Sequence, residues 1–305
     1  MAITPEKTVI ASFRQRILNK VELVGNRLTV TDLYTIRGDV DFSTGNINYH
    51  GDLEINGSIR SGMSVRVTGS LNVHGTVEAA NVEVTKDILI KGGIIGSGRA
   101  YVNSGGSIIV KFIENAHVIA EDTVHSGAIL SSYVLANKKI VVEGKLGNVV
   151  GGKLKATNLI EVTNIGSLSE SKTEIEVGID RFVYERQAYL VNESNRVREE
   201  VEKIEQVVNL LDVKSTNNNA EAIRHKLIKT KLDKLALLTR NKQEIDEIVE
   251  RINMSQDAKI EVSNYIYPGV LICIDSYHLP ITGVYRNVMF LRRGEQIFTV
   301  KAQQK

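Results

Sequence analysis

The stretch Ile47-Asn48-Tyr49-His50-Gly51-Asp52-Leu53-Glu54-Ile55-Asn56-Gly57-Ser58-Ile59-Arg60-Ser61-Gly62-Met63-Ser64-Val65-Arg66-Val67-Thr68-Gly69-Ser70-Leu71-Asn72-Val73 sets the architecture of this chain. Apolar residues recur in pairs with one residue between them: Ile47/Tyr49, Leu53/Ile55, Val65/Val67 and Leu71/Val73. That is the period of a strand with one buried face. New strands begin about every six residues, near 47, 53, 59, 65, 71 and 77. The pairs continue at Val82/Val84, Ile88/Ile90, Ile108/Val110, Ile140/Val142 and Ile160/Val162. With one pair per turn as a marker, turns start near 47, 65, 82, 100, 118, 134 and 154, at intervals of 18, 17, 18, 18, 16 and 20 residues.

Three short strands per turn predict a triangular β-solenoid of about seven turns over residues 38–179. At about 4.8 Å per turn it would form a rod of roughly 34 Å. Gly57, Gly75, Gly92 and Gly144 fall in register at one corner, where stacking demands φ > 0 or close backbone approach. A β-sandwich with Gly turns fits less well, because strands this short do not make a wide sheet. The spacing leaves the hand of the coil open. A left-handed hexapeptide coil also repeats near 18 residues but keeps stricter six-residue steps; here the frame slips at 82, 118, 134 and 154.

At Gly178 the texture changes, and from Asp180 to Ser255 there is neither Gly nor Pro. Leu190, Val197, Val201, Ile204, Val208 and Leu211 follow coiled-coil spacing. A second stripe holds Ile223, Leu227, Leu235, Leu238, Ile245, Ile248 and Ile252, diluted by Lys231, Lys234 and Asn241. The polar run Ser215-Thr216-Asn217-Asn218-Asn219 breaks the two apart. Two helices of about 32 and 37 residues, each about 50 Å long, are expected to fold back antiparallel over 180–256 and project as a binding arm. After Asp257 strands return at 259–262, 269–274, 283–290 and 296–300, and are expected to pack back on the solenoid over 257–305. Residues 1–37, with Val9, Ile10, Phe13, Ile17 and Leu28/Val30, are expected to cap the other end.

Composition excludes several function classes. The 305 residues hold 38 Lys+Arg against 36 Asp+Glu, so no global charge draws the chain to nucleic acid or an anionic membrane. A single cysteine, Cys273, makes no intrachain disulfide and fits an intracellular setting. No apolar run approaches the roughly 18 residues of a membrane span, and Met1–Lys7 lacks a signal-peptide core. The expected location is the cytoplasm, with recruitment to a cell pole.

The candidate chemistry is sparse, and no catalytic, cofactor or metal site is expected. Zinc needs about three converging imidazoles. Of His50, His74, His117, His125, His225 and His278, only His117 and His125 are near enough in sequence to meet. Asp39, Asp41, Asp52 and Asp87 raise a polysaccharide-cleaving β-helix, but they scatter over several turns and the chain has no Trp. Asp52 and Asp87 read better as acceptors for turn amides. Gly144–Lys153 lacks the residue order of a phosphate loop, and Gly93–Gly98 is not a dinucleotide fingerprint. Arg37-Gly38-Asp39 spells an adhesion tripeptide by coincidence. The better surface lies on the second helix, where Arg224, Lys226, Lys229, Lys231, Lys234, Arg240 and Lys242 face a single acid, Asp233. Such a stripe suits an acidic protein or lipid heads, or is simply a solvated face; without interleaved aromatics it does not suit nucleic acid.

Several segments carry a resemblance. Gly38-Asp39-Val40-Asp41-Phe42-Ser43-Thr44-Gly45-Asn46-Ile47 and Gly51-Asp52-Leu53-Glu54-Ile55-Asn56-Gly57 resemble the bacterial flagellar assembly protein A family. So do Phe112-Ile113-Glu114-Asn115-Ala116, His125-Ser126, Gly144-Lys145-Leu146-Gly147 with Gly151-Gly152, Ile165-Gly166-Ser167, Val177-Gly178 and Ile266-Tyr267-Pro268-Gly269-Val270. The resemblance implies a right-handed β-helix, a coiled-coil hairpin inserted before the last strands, and a role in flagellar assembly or its regulation. It also implies a further N-terminal domain, whereas about 36 residues precede the signature here. The chain is therefore expected to be a non-enzymatic assembly or adaptor protein, binding flagellar or regulatory proteins through its β-helix face and hairpin, with self-association through the hairpin open. Two alternatives are a polymer-forming protein similar to bactofilins, which requires uncapped solenoid ends, and a β-helical enzyme acting on polysaccharide.

Overall fold

The computed structural model describes residues 18–24, 27–144, 147–179, 181–214 and 218–301; Val9, Ile10, Phe13 and Ile17 lie outside them. The chain divides into two compact units, one of residues 1–178 with 257–305 and one of residues 179–256.

In the first unit the period-two segments stack into three columns of inward side chains. One column runs Leu53, Leu71, Ile88, Ile108, Val124, Ile140, Ile160 and Ile260, paired in parallel from strand to strand. A second runs Ile47, Val65, Val82, Val102, Val118, Val134, Leu154, Ile175 and Ile272. The third, partly on isolated bridges, runs Val40, Ile59, Val77, Ile94, Ile113, Ile129, Val149, Ile165 and Ile266. Every member of the third column is fully buried. β-Branched side chains at these positions are stiff and fill a narrow interior, while each strand bonds its backbone to the turns on either side. Two serines interrupt the aliphatic stacks and are satisfied locally: Ser104 Oγ donates to the Lys86 carbonyl at 2.6 Å and Ser126 Oγ to that of Ala128 at 2.9 Å.

The coil has about eight turns, one more than the sequence spacing gives. The extra turn comes from the strands after residue 257. Lys259–Ile266 pairs in parallel with Leu159–Val162, and Val270–Ile274 with Thr173–Val177, so both continue the coil. From Ile160 to Ile260 is 100 residues, of which the second unit takes 78; the remaining 22 is close to an ordinary turn. The marker expected near 100 is Val102, because a register shift between Ile95 and Ala100 absorbs extra residues.

Antiparallel strands flank the coil. Tyr277–Pro280 pairs with Val270–Ile274, Tyr285–Arg293 with Lys259–Ile266, and Gln296–Lys301 with Tyr285–Arg293. At the other end Arg27–Ile36 pairs in parallel with Asp52–Ile55, and Leu18–Val24 folds antiparallel onto it.

The second unit holds two helices, α1 (Arg181–Lys214, 34 residues) and α2 (Asn218–Ser255, 38 residues). α2 begins inside the polar run 215–219, with Glu221 in its first turn where the helix dipole favours an acid. Residues 215–217 of that run lie outside the described residues.

Candidate partner-binding surface

The helix pair is built around Leu190, Val197 and Val201 of α1 and Ile248 of α2, all buried. The contacts run in opposite directions along the two helices. Arg186 binds Glu244 through Nε at 2.7 Å and through a second nitrogen at 3.1 Å. Asn241 donates to Glu193 Oε2 at 2.9 Å, Lys234 pairs with Glu200, and Lys231 with Glu205 at 2.7 Å. These last three are the residues that dilute the apolar stripe of α2, and each finds a polar partner on α1. Asn241 is only 2% exposed and also reaches Ser194 Oγ at 3.4 Å, so one polar contact sits inside the interface. The Lys234 hydrogen bond lowers the pKa of Glu200, and that of Arg186 lowers the pKa of Glu244.

The structure divides the seven basic residues of α2. Lys231 and Lys234 are occupied by α1. Arg224, Lys226, Lys229, Arg240 and Lys242 are exposed. At 3.6 residues per turn, Lys226, Lys229 and Arg240 lie within about 60° of one another, between about 80° and about 180° round the helix from Lys231 and Lys234, and exposed Asp233 falls on the same arc. Arg224 and Lys242 share a second direction about five turns apart. Among the described residues Lys226, Lys229 and Lys242 hold no ion pair, while Arg240 is close enough to Glu244 to help lower its pKa. Ile223 and Leu232, the latter 61% exposed, flank this arc on opposite sides of the helix.

The other candidates resolve into structural roles. His117 stacks edge-on between Tyr101 and Tyr133 of the neighbouring turns, with ring centroids 5.6 and 4.5 Å apart. His125 lies 3.9 Å from Glu143, and His74 Nε2 is 3.0 Å from Glu54. Among the described residues no three metal-ligating side chains converge. The four aspartates are turn acceptors. Asp39 takes the Ser58 amide at 2.7 Å, Asp41 that of Ser43 at 2.8 Å, Asp52 that of Ser70 at 2.8 Å, and Asp87 that of Ser107 at 2.7 Å. The Ser58 amide and then Arg60 lower the pKa of Asp39, and the Ser43 hydroxyl that of Asp41. A glycosidase general acid needs the opposite shift.

Gly151 and Gly152, from the phosphate-loop candidate, lie within the strand Asn148–Ala156. There Lys153 bonds Glu174 at 2.6 Å and Glu176 at 2.7 Å, and Lys155 bonds Glu176 at 2.5 Å. Burial works against both charges, but these bonds outweigh it, raising the pKa of Lys153 and lowering that of Glu176. Cys273 is paired in register with Glu176; burial, then Glu174 and Glu176, push its thiol up to about 11.

Sequence reading missed the acidic partners on α1 and the Tyr101–His117–Tyr133 ladder. The ladder has a 16-residue step that the turn period would have exposed. The flagellar assembly protein A β-solenoid domain matches residues 32–297, so the chain belongs to that family. No curated protein and no solved structure matches it.

Proposed function

We propose that this member of the flagellar assembly protein A family is a non-enzymatic assembly or adaptor protein, acting in flagellar assembly or its regulation in the cytoplasm, with recruitment to the cell pole. Family membership supports the flagellar, non-catalytic part of this reading. In it the solenoid is a right-handed β-helix that serves as a rigid frame, and α1 and α2 form a coiled-coil hairpin that recruits an acidic protein. The supporting observation is the exposed arc of α2 that carries Lys226, Lys229 and Arg240 against one acid, Asp233, outside the ion pairs that Lys231 and Lys234 make with α1. Exposed Leu232 and Ile223 on either side of the arc add apolar area that a partner would cover. The antiparallel strands at both ends act as caps in that they cover the outermost parallel turns and so oppose coil-on-coil stacking. Caps weigh against a bactofilin-like polymer, and the turn-bound aspartates weigh against a polysaccharide-cleaving enzyme.

The test is chemical crosslinking of flagellar proteins to the chain in its own cells, followed by a swimming assay. Lys226→Glu, Lys229→Glu and Arg240→Glu together should remove the crosslinked partner and impair motility with the helix content unchanged. Deleting 181–256 should have the same effect while the coil stays folded. Retention of partner and motility in both variants would refute the proposal.

A further inference from the structure

The sheet that carries Leu53 through Ile260 does not stop at the last coil. It gains Tyr285–Arg293 and then Gln296–Lys301, both antiparallel, and the second of these is its final strand. Among the described residues the one ladder that Gln296–Lys301 makes is with Tyr285–Arg293, and Tyr277–Pro280 passes close to it without a ladder between them. The turn joining the two strands fixes which backbone groups that side presents. Gly294 has φ +63° and Glu295 is not in the left-handed region, the pattern of a two-residue II′ hairpin. The flanking pair Arg293/Gln296 then exchanges backbone bonds, and bonded pairs alternate from there. Residues 296, 298 and 300 bond inward. The N–H and C=O groups of Ile297, Thr299 and Lys301 point to the open edge.

Within the strand the usual sequence protections of an edge are missing. From Gln296 to Val300 there is no charge, no proline and no bulge. Phe298 is 45% exposed and Val300 44%, on one face of the strand. The only charges are at its two ends, Glu295 before it and Lys301 closing it, both exposed.

We propose that a second copy of this chain adds its own Gln296–Lys301 strand antiparallel to this edge, forming a twofold dimer. The charge order favours a copy over another partner. An uncharged strand with an acid at its start and a base at its end is complementary to itself only when reversed. Phe298 then faces its counterpart across the axis, Ile297 pairs with Thr299, and Glu295 meets Lys301 at both ends. The outward-facing groups deduced from the hairpin are the ones this register pairs. A twofold contact also consumes both free edges, so it closes at two copies. The contact is small for a stable interface, which places it in the weak, concentration-dependent class. This inference is independent of the flagellar reading.

Sedimentation velocity of the full chain from about 1 to about 300 µM tests it, a range that spans weak association. The sedimentation coefficient should climb with concentration and level off at a dimer. Thr299→Pro removes an outward N–H and leaves the inward ladder intact, so association should weaken at least about tenfold. Glu295→Lys should also weaken it, by bringing like charges together. Glu295→Lys with Lys301→Glu should restore it, and circular dichroism checks that each variant is folded. A wild-type chain that stays monomeric throughout would overturn the proposal. So would growth past two copies, or a dimer indifferent to the charge reversal. If Thr299→Pro fails to fold, the charge exchange decides alone.

Discussion

Gly92 and Gly38 belong to one corner of the coil but should respond in opposite ways to the same substitution. The Gly92 amide donates to the Gly75 carbonyl at 3.0 Å, and the Gly75 amide to that of Gly57 at 2.9 Å. Neither Gly75 nor Gly92 has a positive φ, so close approach rather than backbone conformation selects glycine there. A Cβ on Gly92 would lie 2.8 Å from the carbonyl carbon of Gly75 and closer still to its oxygen. Ordinary contact begins at 3.4 Å, so the two turns must part by about 1 Å. The 3.0 Å hydrogen bond would then lengthen to about 4 Å and be lost, leaving a carbonyl and an amide short of a partner. Overpacking of about 1–3 kcal/mol plus the broken bond at about 1–3 kcal/mol predicts a loss of roughly 2–6 kcal/mol for Gly92→Ala. Gly38 ends the stack. A Cβ there meets nothing within 4 Å, and its φ is not positive. Gly38→Ala should be neutral or stabilising by up to about 1 kcal/mol through the unfolded chain. Urea unfolding followed by strand circular dichroism compares the two, and for a unit of this size the melting temperature should separate by roughly 5–15 °C. Equal midpoints for the two variants would show that the corner yields freely and that the stacking argument is wrong.

Two further outcomes follow from the Thr173–Val177 face. Glu176 has a folded pKa below its unfolded value, so its contribution is present above about pH 4.5 and fades as pH falls through the folded pKa; Lys153 has a raised pKa, so its contribution is present below about pH 10.5 and fades above that. Glu176→Gln should lower stability by about 1–3 kcal/mol at pH 7 and flatten the acid limb of a stability–pH curve; an unchanged limb would mean the network is not what titrates. Cys273, with its thiol at about 11, should react with a thiol reagent at pH 8 on the order of a thousandfold more slowly in the folded chain than a fully ionised thiolate, and urea should release it; rapid labelling of the native protein would contradict its burial.

Much of the coil was legible because its inward positions are aliphatic and spaced by two. Ile47/Tyr49 through Leu71/Val73 mark strands that the structure contains. What slipped was the frame. Val82 pairs with Val102 because Ser97 to Arg99 bulge outward, and a bulge changes the count without changing the pattern. Gly144 shares the corner with Gly57, Gly75 and Gly92 by spacing, yet its φ of +138° sets it apart from them. The basic residues of α2 were legible as a cluster but not as a face. Which lysines remain available depends on Glu200 and Glu205, which lie on α1 and were visible only once the helices were paired.

The position of the helices in the chain is itself an argument about how the two units coexist. Strand Thr173–Val177 precedes them and Val270–Ile274 follows, and the two are parallel neighbours in register from Thr173/Val270 to Val177/Ile274. A segment that carried part of the coil's core would leave a gap in the columns when set aside. Here the columns close over it: Ile160 meets Ile260, Ile165 meets Ile266, and Ile175 meets Ile272, all buried. The 78 residues of the second unit therefore cost the coil little beyond the entropy of closing a long loop, which grows only slowly with length. Because each turn of a solenoid depends chiefly on its neighbours, a structure inserted between two turns is tolerated as long as those turns still meet. The coil can thus supply stability while the exposed side chains of α2 vary, because none of them belongs to a buried column.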